Sequence, residues 1–295
     1  MERKTAADFD PDLLILFDAY VHGAIDRRGF LNKASRFAVG GVTAAMLLDQ
    51  LSPNFVAAQQ IQADDKRLKT ERVPYPSPKG SDKTSGYLVR PAAAAGKLPG
   101  ILVIHENRGL NPHIEDIARR LALDNFMAFA PDALAAVGGY PGDEDKARGL
   151  FQTLDTAKTR EDMIAAANHL KGRPDCTGKI GAVGFCWGGG QVHFLATRMP
   201  DLAAGVPFYG NTPAPEEAAR VKTPLLVHMA ENDARINQAW PAYEAALKAA
   251  NVTHTAYTYP GTQHGFNNDT TPRFDEAAAK LAWQRTVEFF NKHLR

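Results

Sequence analysis

Three residues of matched chemistry, widely separated along this 295-residue chain, could together run a nucleophilic reaction. Cys186 stands in Gly184-Phe185-Cys186-Trp187-Gly188, with two more glycines following. Asp233 comes just after the apolar run 224–230, and His264 lies in a turn after the run 255–260. A thiol of ordinary pKa, about 8.5, is mostly protonated near neutrality, so a reactive cysteine needs a base or a positive helix end beside it. His264 is the candidate base. Asp233 is the candidate carboxylate that fixes the tautomer and stabilises the imidazolium. A small buried hydrophobe is the commoner fate of a lone cysteine, but packing alone has no use for glycine at 184, 188, 189 and 190 together. Glu231 is a rival acid nearer its strand end, and His228, inside an apolar run, reads as a core residue.

The elements needed to position this trio can be read around it. Residues 179–185 form an apolar run and 191–198 suit a helix. Strand, sharp turn and helix in that order make a nucleophile elbow, where small residues allow a strained turn. The helix behind the turn would point its positive end at the sulfur. A tetrahedral intermediate needs two fixed donors: the backbone N–H of Trp187, and one from the polar loop 105–110, assigned to Asn107. Further strands are predicted at 84–89, 100–105, 125–130, 203–209, 224–229 and 255–259, and helices at 113–124, 159–170, 237–250 and 275–293. Residues 134–150 read as a loop or short lid. Alternating strands and helices predict a mainly parallel central sheet with helices on both faces. The chain order nucleophile, acid, histidine is that of the α/β-hydrolases. The catalytic domain is assigned to residues 61–295.

Composition excludes several alternatives. Hydrophobic content of 44% and charged content of 23% are those of an ordinary globular protein. A net charge of +1 offers no broad platform for nucleic acid. No phosphate-cradling glycine loop follows a strand. The two cysteines, 176 and 186, can build neither a disulfide framework nor a four-thiolate zinc site. His105-Glu106 starts like a zinc-protease helix, but Gly109 stands where the second histidine belongs. No cofactor and no metal are expected; the expected partner is a small ester or lactone.

Residues 1–60 differ in character. Asp26-Arg27-Arg28-Gly29-Phe30-Leu31 is similar to a twin-arginine export signal, followed by an apolar stretch at 37–48 and a small-residue cleavage site at 56–58. The stretch is too short and interrupted for a stable membrane span. Against export, Leu13, Leu14, Phe17, Val21, Ala24 and Ile25 recur at helical spacing, as in a segment that buries a face. The expectation is periplasmic export. Its alternative is a retained helical arm on a cytoplasmic protein, packing on the domain or on a second subunit of a homo-oligomer.

From residue 87 onward the chain resembles the dienelactone hydrolase (carboxymethylenebutenolidase) family. The resemblance rests on His105-Glu106-x-x-Gly109, the elbow around Cys186, Asp233 after its strand, and His264-Gly265-Phe266. It implies a cysteine nucleophile that opens a cyclic enol ester through a thioester. It also implies that Glu106 governs the resting thiol, a carboxylate near sulfur raising its pKa. The family holds a substrate carboxylate with arginines, one of them a few residues after the histidine. Here Asn267-Asn268 occupies that stretch, and Arg108, Arg148 and Arg235 are the candidate substitutes. Two other readings use the same residues differently: a general esterase or thioesterase, and a non-catalytic binding module on the same fold.

Overall fold

The computed structural model describes residues 4–295. Four helices open the chain: α1 (Pro11–Val21), α2 (Arg27–Ala34), α3 (Ala44–Leu51) and α4 (Phe55–Ala58). Then follow β1 (Leu68–Pro74), β2 (Ser85–Pro91), β3 (Leu98–Ile104), α5 (Pro112–Leu123), β4 (Met127–Pro131), α6 (Glu144–Gln152), α7 (Thr156–Gly172) and β5 (Cys176–Phe185). The remainder is α8 (Trp187–Arg198), β6 (Ala204–Phe208), β7 (Leu225–Asn232), α9 (Ala234–Asn237), α10 (Trp240–Ala249), β8 (His254–Gln263) and α11 (Glu276–Leu294).

The strands form one sheet in the order β1-β2-β4-β3-β5-β6-β7-β8. Pairing is parallel from β4 through β8, and β1 and β2 add an antiparallel edge. Central strands read as unbroken apolar runs because both of their faces are covered. On one face, Ile114, Ile117 and Leu121 of α5 and Phe290 and Leu294 of α11 pack on Val103, Val183 and Val206. On the other, Met163 and Leu170 of α7 and Val192 and Leu195 of α8 pack on Leu102, Ile104 and Ala182. The expected mainly parallel sheet with helices on both faces is therefore what the chain forms.

Two segments differ from their sequence reading: β1 (Leu68–Pro74) is an edge strand that the predicted set lacks, and 134–150 is not all loop. The second half of 134–150 is helix α6, because Asp143 caps it, its side chain accepting from the Lys146 N–H. Its dense charge masked the helical signal.

The amino-terminal segment has a core of its own. Phe9, Leu13, Leu14, Phe17, Tyr20, Phe30, Leu47, Leu48 and Leu51 are buried together. The phenyl ring of Phe30 lies edge-on to Phe17 and against Tyr20. Arg27, first of the twin arginines, starts α2 and pairs with Asp145 of α6 at 2.9 Å. Between arm and sheet, the buried carboxylate of Asp116 accepts from the backbone N–H groups of Gln60 and Ile61 and from Arg120. Among the described residues, no helix is long and apolar enough to cross a membrane.

Candidate active site

The site is assembled at the carboxyl ends of the parallel strands, where open α/β sheets bind ligands. Cys186 joins β5 to α8 with φ 55° and ψ −114°, a conformation that L-residues rarely adopt. The strain is sustained because the turn cannot relax. The Cys186 N–H is bonded to Phe208 O at 3.0 Å, and a methyl on Gly188 would lie 2.2 Å from the carbonyl oxygen of Ile104. A methyl on Gly184 would meet the Gly188 carbonyl equally closely. Gly189 is as constrained, its methyl falling 2.6 Å from Phe208 O, whereas Gly190 has room for one; close approach thus requires glycine at 184, 188 and 189.

His264 follows β8 and Asp233 follows β7, and the two meet with Nδ1 and Oδ2 2.5 Å apart. Both are nearly buried, at 5% and 4% exposure. With Nδ1 committed to the carboxylate, Nε2 is the nitrogen that faces the sulfur side. A ring nitrogen of His264 lies within 4.8 Å of Cys186 Sγ, and each group favours the charged form of the other.

Sequence reasoning missed the residue that the sulfur does touch. His22, one position past α1, places Nε2 3.3 Å from Cys186 Sγ. Its Nδ1 lies 2.9 Å from Asp18 O and 3.2 Å from Asp18 Oδ1. The sulfur thus sits between two carboxylate-backed imidazoles whose rings meet edge-on, centroids 4.8 Å apart. The available signal was Asp18 and His22 at i, i+4 on a segment already marked by helical periodicity, but no local pattern ties that segment to the elbow.

The charges are mutually dependent. Burial pushes the Cys186 thiol up, and the positive charges on His264 and His22 outweigh it, bringing the pKa down to about 5. For His264, burial acts downward, but the thiolate and Asp233 raise it to about 10. His22 is raised as well, burial being outweighed by Cys186 and Asp18. The resting state that this balance favours is a thiolate beside imidazolium. Glu106 lines the same cavity, and its Oε2 accepts from Asn268 Nδ2 at 3.0 Å. Its expected partnership with the thiol is not among the sulfur's hydrogen bonds; His22 occupies that place.

The three arginines reach the site region, each engaged by or beside the arm. Arg108 donates to Val21 O at 2.9 Å and to Asn107 Oδ1 at 2.8 Å. Arg148 donates to Tyr20 O at 2.8 Å and covers the Tyr20 ring. Arg235 Nη2 stands 3.1 Å from His22 Nε2 and 3.5 Å from His264 Nδ1. Arg273, outside the predicted set, pairs with Asp18 at 3.3 Å and lines the cavity. Asn107 also lines it, with its side-chain amide donating to Val21 O, and Trp187 begins α8 with its ring stacked on His105. The turn after α1 divides the space over the sulfur. One chamber, about 200 Å³, holds Glu106, His264 and Arg273; the other holds Trp187, Tyr209 and Arg235; Cys186, His22 and Asn107 line both.

An eight-stranded, mainly parallel sheet carrying a strained residue between strand and helix, with an Asp–His pair on later loops, defines an α/β-hydrolase. The comparisons narrow this. The dienelactone hydrolase family model matches residues 84–294, and a separate YqhI-like model matches residues 1–39. A Salmonella typhi protein named "Putative carboxymethylenebutenolidase" is 32% identical over 231 residues, covering 73% of this chain and 85% of that protein. "Putative hydrolase fragment YghX" of Escherichia coli K12 is 51% identical over 114 residues, 39% of this chain and 97% of that protein. The crystal structure named for a "Putative Dienelactone Hydrolase" of Klebsiella pneumoniae aligns with TM-score 0.68 at 28% identity, covering 76% of this chain and 99% of that one. The chain belongs to the dienelactone hydrolase family and is a hydrolase of the ester and lactone class.

Proposed function

We propose that this enzyme hydrolyses a small ester or lactone through a thioester on Cys186, with His264 and Asp233 completing a Cys-His-Asp triad. The observation that carries the reading is the strained Cys186 turn facing the buried Asp233–His264 pair across less than 4.8 Å. The thiolate attacks the ester carbonyl, the alkoxide or enolate leaves, and water releases the acid from the thioester. Backbone N–H groups of Trp187 and Asn107 are assigned to the intermediate's oxyanion, a donor of this kind being worth about 2.7–4 kcal/mol in the transition state. The two chambers over the sulfur, about 200 Å³ and about 540 Å³, offer separate places for the acyl and leaving groups of a small ester. Arg108, Arg148 and Arg235 are the candidate contacts for a substrate carboxylate that displaces an arm carbonyl.

Turnover of an activated aryl ester tests the reading. Wild type should lose activity on treatment with iodoacetamide, and Cys186→Ala should be inactive with no acyl adduct. Full activity in the alkylated protein rules out the thiol mechanism.

We also infer that residues 1–58 stay on the working enzyme, because cleavage after Ala58 would strip His22 from the sulfur. Intact mass of the protein from its native host should include the arm. A chain starting at Gln59 would instead support twin-arginine export with processing.

A further inference from the structure

We propose that His22, carried in by the amino-terminal arm and oriented by Asp18, is a second catalytic imidazole that protonates the departing oxygen, leaving His264 to activate the water that releases the acyl group. This rests on the reading of Cys186 as the nucleophile.

The division of labour follows from distances. A base or acid must stand within hydrogen-bond reach of the atom it serves. His22 Nε2 is at 3.3 Å from the sulfur, whereas buried His264 interacts with the sulfur from within 4.8 Å and its Nε2 makes no direct contact of that kind. A buried ring nitrogen without such a direct contact, aimed at the cavity over the sulfur, is placed to take a proton from an incoming water. Each ring has its own carboxylate on Nδ1, Asp18 for His22 and Asp233 for His264. His22 is held in place from several sides. Arg273 grips Asp18, and Arg108 and Arg148 take the last carbonyls of α1, Val21 and Tyr20. His22 also borders both chambers over the sulfur, so it lies where a leaving group on either side passes it.

The proton count closes. The Cys186 thiolate forms the C–S bond, the C–O bond breaks, and the leaving oxygen takes the proton of His22 Nε2. Arg235, at 3.1 Å, then donates to the neutral nitrogen. With the sulfur acylated, the thiolate charge that raised His264 is gone and His264 gives its Nε2 proton to solvent; the neutral nitrogen then takes a proton from water as its oxygen attacks the thioester carbonyl, and the C–S bond breaks to return the thiolate. The carboxylic acid gives its proton to His22, and His264 keeps the proton it took from water, which restores the resting charges.

The test uses the full-length protein and two acetates, one with a poor leaving group (phenyl) and one with a good one (p-nitrophenyl). His22→Gln should lower kcat/KM on phenyl acetate by about 100-fold or more, with a loss at least ten times smaller on the p-nitrophenyl ester. Free imidazole should restore part of the phenyl-ester activity in His22→Ala, and Asp18→Asn should show the same leaving-group bias in weaker form. His264→Gln should accumulate acetyl on Cys186 by intact mass, because deacylation stalls. Equal losses on both esters, no rescue by imidazole, or a rise in activity in His22→Gln would overturn the assignment. So would failure of His264→Gln to acetylate while His22→Gln acetylates at the wild-type rate. If wild type never acetylates Cys186 and Cys186→Ala keeps turning over, the nucleophile reading itself fails.

Discussion

At the residue scale, what distinguishes this enzyme is a sulfur flanked by two imidazoles whose charges favour its ionised form. Because the pKa of Cys186 is lowered to about 5, its charged form predominates above that value and disappears below it. Alkylation by iodoacetamide should therefore run at its plateau rate from neutrality down to about pH 6 and fall tenfold per unit well below pH 5. In His264→Gln the midpoint should move upward, since the largest opposing charge has gone. A wild-type midpoint near 8.5 would contradict this balance. Asp233→Ala should lower kcat by about 10²–10⁴, the usual worth of acid–base assistance, with little change in KM.

At the element scale, the elbow and the loop after β8 hold the geometry. Gly188→Ala drives a methyl into the Ile104 carbonyl, so the β5–α8 turn must shift away from β3. Overpacking of this kind costs about 1–3 kcal/mol or more, readable as a lower urea midpoint, and it should reduce activity further by moving Cys186. The loop that follows His264 is pinned by Asp269, which meets His113 and Arg120. Burial acts upward on Asp269, but His113 and Arg120 overcome it and bring its pKa down to about 2. The sign follows from linkage. A depressed carboxylate contributes stability above its unfolded value of about 3.9, and that contribution drains away as pH falls towards 2. Asp269→Asn should flatten the loss of stability across that acid window in urea titrations; an unchanged profile would count against the loop's electrostatic anchoring.

At the scale of the whole molecule, two hydrophobic cores are coupled through one reactive centre. The arm's core surrounds Phe30, and its loss to Ala should cost about 3–5 kcal/mol of local stability. Because the arm delivers His22, Phe30→Ala should loosen residues 4–58 to proteolysis and, in parallel, impair phenyl-ester turnover, while the sheet domain stays folded by circular dichroism. Removing Asp116 should be more general in effect. Asp116→Ala orphans two backbone N–H groups where the arm's exit crosses α5 and takes one of two carboxylates from buried Arg119 and half-buried Arg120, which keep Glu115 and Asp269. Each buried donor left unsatisfied costs about 1–3 kcal/mol, so its melting temperature should fall below that of wild type.

Much of this protein is legible locally. The elbow could be read because a strained turn demands glycine at particular offsets, and the sheet because strands covered on both faces become uninterrupted apolar runs. Asp233 and His264 could be read because each follows such a run. What the chain alone could not reveal was where its first sixty residues go. Arg27-Arg28 reads as a sorting signal in the sequence, which does not show that Arg27 in the fold meets Asp145 and starts a helix. His22 lies 164 residues from the sulfur it touches. A contact of that span leaves no periodicity and no spacing in the sequence, because it is created by the docking of one amphipathic helix on another part of the molecule. Residue type and spacing marked Cys186 as the candidate nucleophile; only tertiary packing decided how many imidazoles stand beside it.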